Sequence, residues 1–530
     1  MCDWLKTTFI VLVLGGLLAA CGKNDETGDE YPGNTLTVLA GSELKDMEPL
    51  LPELEKATGV RLKFEYSGTL DGVERIQSGE AFDAAWFSHA KYLMLDPASR
   101  SKVRASEKIM LSPVVLGVKE SKFRSLGWDR PDGVTWKDIA QAAASGRFNY
   151  AMTSPASSNT GFSALMGVAA AFAGKADALG EADVQNLKLS GLFKGQRLTA
   201  GSSGWLAERY LAEESKLDGM INYESVLLAL NTGQIKEKLH LVYPRDGIIT
   251  ADYPLLLIND ARRADYEKVV AWLKSEAAQR WLMQHTQRRP VNAAVLPIAG
   301  MFPNALLSEL PFPGRIEVVN SILLSYLNDQ RRPAHAFFVL DVSGSMQGDR
   351  INSLRQAVGS LAGQDQSLTG RFARFQNRER ITFIPFSSNV EQDLFFAADM
   401  GQTRADNDAT LGAIRNYAGR LDTRGGTALY DALAEAYRRA AAALSSDPQR
   451  YITIVAMTDG ESNSGMNLEQ FRDFYRGLPN AVRGVRVFTV QFGDGNAEEL
   501  KAVAELTGGR FFDSKKSSLA VVFKGIRGYQ

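Results

Sequence analysis

The chain has 530 residues, enough for roughly two to four domains and for more than one hydrophobic core. It is 45% hydrophobic and 23% charged, with a formal net charge of -1, so it has neither the basic excess of a nucleic-acid binder nor the acidic excess of a solvating tail. Its two cysteines, Cys2 and Cys21, lie near the start, which excludes a disulfide framework or a cysteine-ligated metal site from the rest of the chain.

The first element is an uncharged apolar run, Phe9 to Ala20, preceded by Lys6. It is too short to span a bilayer and fits the core of a signal peptide. The run ends in Leu18-Ala19-Ala20-Cys21. Two readings are open: a plain secretory signal with an incidental Cys21, or a lead-in to a modified cysteine. The string resembles a bacterial lipobox, which implies lipidation at Cys21, removal of residues 1–20, and anchoring to a bacterial membrane. Residues 21–33 are polar and contain Gly and Pro, so they read as a flexible tether. No later segment is long and apolar enough to span, which places the folded part outside the cytoplasm.

Residues 34–298 form the next unit. LTVLAGS reads as a strand, Glu43 to Thr58 as a helix, VRLKFEYSG as a second strand and FDAAWFS as a third. Strand–helix alternation of this kind implies a parallel sheet. MLSPVVLGVK leaves this unit for a second one, with a helix at Trp136–Ala144, the strand FNYAMTSP and the small-residue helix FSALMGVAAAF. The chain returns through LHLVYPRDGII and YPLLLIN. Hydroxyls and glycines gather at the tips of these elements, at Ser42, Gly68, Thr69, Ser88, Ser154, Ser158, Asn159, Thr160 and Gly161. Each alone reads as a helix N-cap; together they also read as a site for an anion or polar solute.

The strings LTVLAGSELKDMEPLLPELEKATGVRLKFEYSGTL, FDAAWFSHAKYL, MLSPVVLGV, YAMTSPASSNTGFSAL, INYES, LVYPRDG and QRRPV carry a resemblance. They are similar to type 2 periplasmic solute-binding proteins, in the branch that includes molybdate-type receptors. The resemblance implies two lobes closing over a small solute or oxyanion. Carried over by motif, Ser42, Gly68, Thr69, Ser154, Ser158, Asn159, Thr160 and Tyr223 line that cleft. This chain has Ser-Gly-Thr at 67–69 where oxyanion receptors often have Ser-Ser-Gly.

Residues 299–333 read as a proline-punctuated connection holding the helix RIEVVNSILLSYLND. Residues 334–527 then show a doubly wound α/β pattern. Ala336–Leu340 is a buried strand, and a helix with Ile351, Leu354, Val358 and Leu361 on one face follows it. ITFIPFSS and DLFFAA look like a hairpin pair, and YITIVAMTD and VRVFTVQFG are further strands. Asp341 and Asp459 each end an apolar strand, so the sheet topology brings them to one edge. Asp341, Ser343 and Ser345 form a D-x-S-x-S loop in which Gly344 is expected to relax the turn, and Gly425 and Gly426 precede Thr427. A lone D-x-S-x-S is weak, because such residues often cap helices. The set in order reads as hard oxygen ligands for a divalent cation, Mg²⁺ first, with Mn²⁺ or Ca²⁺ open.

These five residues resemble the metal-ion-dependent adhesion site of the von Willebrand factor A domain. That resemblance implies that Ser343, Ser345 and Thr427 contact the cation, that Asp341 and Asp459 act directly or through water, and that a protein partner supplies a carboxylate. Ser387, Glu461 and Asn463 are weaker candidates around it. The expected architecture is a two-lobed periplasmic-binding-protein fold followed by a Rossmann-like domain. The expected role is that of a binding protein rather than an enzyme, since His89, His240, His285 and His335 are scattered and sit in no catalytic motif. The alternative role is that of a solute receptor for an ABC transporter.

Overall fold

The computed structural model describes residues 34–530, apart from 176–178, 234, 306, 494 and 516. The signal peptide, the tether and Cys21 lie outside the described residues.

The first lobe is built on a sheet of order Arg61–Ser67, Thr35–Gly41, Ala84–Trp86, Pro254–Leu257, Ala105–Lys108. The first three strands are parallel, and Pro254–Leu257 runs antiparallel to both of its neighbours. Leu36, Val38, Leu39 and Ala40 are all buried, as a strand with helices on both faces requires. The stretch expected as one helix over Glu43 to Thr58 divides into a 3-10 segment, Ser42–Leu50, and an α-helix, Leu51–Thr58. Pro49 and a second proline at the start of the α-helix lack the N–H groups a continuous helix needs.

The second lobe holds a sheet of order Thr250–Ala251, Met110–Lys119, Gly219–Tyr223, Tyr150–Thr153, Gln196–Ala200. Leu239–Val242 and Arg289–Pro290 also pair with Met110–Lys119. The chain therefore crosses between lobes more than once, which is the topology of a hinge.

The connection is packed rather than loose. Its helix, Ile316–Ser325, buries Val318, Val319, Ile322 and Leu323. Asn320 Oδ1 accepts a hydrogen bond from Tyr92 of the first lobe at 2.8 Å. Gln330 Oε1 accepts one from the Leu189 amide of the second lobe at 2.9 Å. The helix expected in this segment is present, and both lobes pack against it.

The last domain is a six-stranded sheet of order Phe396–Asp399, Arg380–Phe386, Ala334–Asp341, Tyr451–Thr458, Arg486–Gln491, Phe511–Asp513. All neighbours are parallel except the edge strand Phe396–Asp399, which runs antiparallel to Arg380–Phe386 as the hairpin reading expected. One apolar cluster runs from Leu198, Trp205 and Leu206 of the second lobe into Phe488, Phe523 and Tyr529 of this domain. The two units thus share core.

Candidate functional site

Strands Ala334–Asp341 and Tyr451–Thr458 pair in parallel with Leu340 opposite Met457. Their carboxyl ends therefore release Asp341 and Asp459 side by side at one edge. Asp341 is fully buried. Its Oδ1 accepts the Ser343 amide at 2.8 Å and its Oδ2 the Thr458 hydroxyl at 2.5 Å. The Ser343 and Ser345 hydroxyls lie 2.9 Å apart, and Ser345 donates to Asp459 Oδ1 at 2.7 Å. A Cβ on Gly460 would stand 3.8 Å from Ser345 Oγ and 3.9 Å from Thr427 Oγ1, so these hydroxyls face a common point.

Close approach explains the glycines. Gly344 keeps a negative φ, so the expected relaxed turn is not its reason. A Cβ there would come 3.3 Å from the Gly425 carbonyl oxygen, which accepts the Gly344 amide at 3.0 Å. Gly425 has φ +66°, and its Cβ would lie 2.7 Å from Ser388 Oγ. The Thr427 amide is fixed by Asn463 Oδ1 at 2.8 Å. Ser387 gives its hydroxyl to Glu391 and its carbonyl to the Ala428 amide at 2.7 Å, while Glu461 is exposed.

Burial pushes the Asp341 carboxyl above the ordinary range, and the neighbouring Asp459 adds to this against the hydrogen bonds from Ser343 and Thr458. Arg350 answers part of that charge, with Nη1 2.6 Å from Asp459 Oδ2. Among the described residues no group of three or more His, Cys, Asp or Glu is placed to hold a metal. The cradle depends on its hydroxyls, and two carboxylates plus three hydroxyls on three loops fit a hard divalent cation. Arg350 and Thr458 escaped the sequence reading. Thr458 directly precedes Asp459, but only strand register points it at Asp341.

The tips of the solute-binding lobes also converge. Gly68 and Ser158 occupy the N-cap positions of their helices, as the N-cap reading expected, but neither caps through a side chain. Thr69 bonds Asn159 across the gap between lobes, and a Cβ on Gly68 would lie 2.3 Å from the Ser157 carbonyl oxygen. Asn159 Nδ2 donates to Glu43 Oε1 at 2.8 Å, and Tyr223 Oη reaches the same oxygen at 3.5 Å. Ser42, Glu43, Ser154, Ser158 and Asn159 border a cavity of about 780 Å³, while Thr160 and Tyr223 lie buried behind Glu43. Glu43 was missed because a glutamate in a helical pattern reads as solvated.

The far wall of this cavity belongs to the last domain, through Phe512, Val521 and Tyr529. That domain grips both lobes. On the first lobe, Glu74 Oε2 accepts the Thr369 amide at 2.6 Å. On the second, Arg486 Nη2 holds both carboxylate oxygens of Glu213 at 2.9 Å. Trp205 meets Tyr529 edge to face at 4.9 Å. A Cβ on Gly201 would lie 2.4 Å from the Tyr529 ring, and one on Gly528 2.3 Å from Ser157 Oγ. Burial would raise the Glu213 carboxyl, but Arg486 and Arg209 hold it below the ordinary range.

Residues 36–285 match the family model of bacterial extracellular solute-binding proteins, and residues 337–524 match that of the von Willebrand factor type A domain. The chain joins an extracellular solute-binding domain to a von Willebrand factor type A domain. Both are binding modules, and the first places the folded chain outside the cytoplasm. Among the described residues no helix is long and apolar enough to cross a membrane.

The chain is 26% identical over 158 residues to inter-alpha-trypsin inhibitor heavy chain H4 of Sus scrofa, covering 29% of this chain and 15% of that protein. It thus spans a minor part of that relative's length. Similar solved structures include a periplasmic thiamin binding protein, at TM-score 0.44 and 14% identity over 57% of this chain and 98% of that one. The periplasmic binding protein AfuA of Actinobacillus pleuropneumoniae, solved with fructose-6-phosphate, has TM-score 0.43 and 14% identity over 56% and 99%. A von Willebrand factor type A protein of Catenulispora acidiphila has TM-score 0.30 and 18% identity over 38% and 43%.

Proposed function

We propose that the chain is a membrane-anchored binding protein whose von Willebrand factor A domain engages a protein partner through a divalent cation. The convergence of Asp341, Ser343, Ser345, Thr427 and Asp459 at one sheet edge carries this reading. These residues would hold the cation, Mg²⁺ by preference, with Mn²⁺ or Ca²⁺ as substitutes. When bound, the cation supplies Lewis acidity toward an incoming carboxylate. The chain's part is to present neutral hydroxyls, which leave the ion's charge incompletely balanced, so an acidic residue of a partner is attracted. Cys21 would carry the lipid that holds the molecule at the membrane.

The solute-binding domain acts as the sensor in this reading. Its lobes are bridged by the adhesion domain through Thr369–Glu74 on one side and Arg486–Glu213 on the other. A hinge motion that parts the lobes strains or breaks one of these attachments, which links solute occupancy to the position of the adhesion domain. The second reading, a receptor delivering solute to an ABC transporter, is favoured by the match over residues 36–285. Against it stands the roof: the cleft mouth is covered by Phe512, Val521 and Tyr529.

Calorimetry of the full chain with an acidic peptide library, in Mg²⁺ and in chelator, tests the first reading. Binding that needs Mg²⁺ and disappears in Asp341→Ala supports it. Binding indifferent to both rejects it.

A further inference from the structure

The floor of the cleft holds a carboxylate that belongs to the chain itself. Glu43 follows the strand Thr35–Gly41 and folds back over Gly41, where a Cβ would come 2.6 Å from its Oε1. From there it takes up the donors of the opposite lobe: Asn159 Nδ2 at 2.8 Å and Tyr223 Oη at 3.5 Å. An incoming oxyanion would need those same donors and would meet a like charge.

The nearest cation does not neutralise it directly. Arg288 is buried, with Nη1 2.7 Å from Asp46 Oδ2, and it touches Glu43 only through the main-chain carbonyl, 2.9 Å from Nη2. Asp71 and Glu74 border the same cavity and are held by a hydroxyl and an amide, from Ser67 and Thr369 respectively. The cavity's basic residues are engaged with other groups: Arg75 with Glu80, Lys524 with Asp365, Arg331 and Arg527 with Glu379, and Arg510 with Tyr529. Burial pushes the Glu43 carboxyl above its ordinary range, only partly offset by the Asn159 hydrogen bond. A cation beside it would offset that burial.

Behind Glu43 lies a polar nest. Three fully buried hydroxyls, those of Ser88, Thr160 and Tyr253, stand behind Glu43. Tyr223, which reaches Glu43, lies within hydrogen-bonding range of Ser88 and Thr160 and packs against Tyr253 with ring centroids 6.0 Å apart. Tyr253 also holds φ +38°, a conformation that costs a residue with a side chain and recurs at ligand sites. Arg288 lies within hydrogen-bonding range of the Tyr253 hydroxyl in turn, so this nest backs Glu43 and holds it toward the cavity.

We infer that Glu43 makes this cleft selective for a small organic cation, an amine or guanidinium compound, and bars oxyanions from it. The inference rests on the solute-sensing reading and gives that solute a chemistry. Glu43 would pair with the cationic group, and the Ser42, Ser154 and Ser158 hydroxyls that border the same cavity would serve the remaining polar atoms.

Thermal unfolding of the full chain tests this with putrescine, guanidinium, glucose, phosphate, sulfate and molybdate. The cations are expected to raise Tm by roughly 2–4 °C at saturation, and the anions to have no effect. Glu43→Gln is expected to weaken the putrescine response at least about tenfold, and Glu43→Asp to retain part of it. A rise with oxyanions or with glucose alone overturns the cation assignment while leaving solute sensing in place. No response to any probe, in wild type or in Glu43→Gln, overturns both. The wild-type panel decides even if a variant fails to fold.

Discussion

The guanidinium of Arg350 lies across the edge of the last sheet with Nη1 2.6 Å from Asp459 Oδ2, while the other oxygen of that carboxylate takes the Ser345 hydroxyl at 2.7 Å. Arg350 is a rival for the charge that a divalent cation would use. Its side chain is a third exposed, so the contact contributes little to stability, about 0.5–1 kcal/mol. Arg350→Gln is therefore expected to raise Mn²⁺ affinity about two- to fivefold, read by calorimetry. Unchanged or weaker Mn²⁺ binding would show that Arg350 is not a competitor.

Asp341 and Asp459 are both buried and raise each other's cost. A cation should stabilise the wild-type chain, with a Tm rise of about 2–4 °C at an Mg²⁺ concentration far above Kd. Asp341→Asn should lose that rise while leaving the cation-free Tm no lower than wild type, because one of the two buried charges is gone. Differential scanning with and without chelator reads both effects. A cation-free Tm that drops sharply would contradict the charge argument.

The roof over the cleft depends on Gly201, whose missing Cβ leaves room for the Tyr529 ring. Gly201→Val should cost about 1–3 kcal/mol by overpacking, concentrated at this junction. The expected result is separation of the adhesion domain from the second lobe, seen as a larger radius of gyration in X-ray scattering with the secondary structure intact. An unchanged scattering profile would mean that the dock does not need this contact.

The pH dependence of the same dock follows from Glu213. Its folded pKa lies below the ordinary value of 4.5 because Arg486 and Arg209 outweigh its burial. A depressed carboxylate stabilises above its unfolded pKa and loses that contribution as pH falls through the folded one. Below about pH 4.5 the adhesion domain should begin to release the second lobe. Limited proteolysis between pH 7 and pH 3 reads this. Glu213→Gln should be more open at neutral pH and lack the acid step.

His89 is buried against Ser163, with Nε2 2.8 Å from the hydroxyl, and burial lowers its pKa from 6.5 to about 3. Its native state refuses a proton that the unfolded chain accepts. Stability from this group is complete above pH 6.5 and falls by about 1.4 kcal/mol per pH unit below it until about pH 3. Its imidazole resonances should stay constant from pH 8 to pH 4; a midpoint near 6 would refute the burial argument.

The meeting of Asp341 and Asp459 at one sheet edge was the most legible feature. Asp341 and Asp459 end apolar runs, and parallel pairing alone brings such ends to one edge, so sequence order was enough to join them. The two-lobed topology was equally readable, because strand–helix alternation, a crossing strand and a returning one leave few arrangements. Less could be read of local conformation, as the prolines near residue 50 showed when they divided the expected helix.

What only the tertiary structure decided is contact between surfaces far apart in the chain. Periodicity reports which residues face a core; it does not report which other surface completes that core. Nothing in the sequence marks Gly201 and Gly528, against which the structure packs Tyr529 and Ser157. Glu43 was only the start of a helical pattern in the sequence, yet it occupies the donors of Asn159 and Tyr223 from the other lobe. The sequence determined which elements form and which ends carry chemistry. The packing of three bodies determined that the cleft is roofed and that Glu43 lies at its floor.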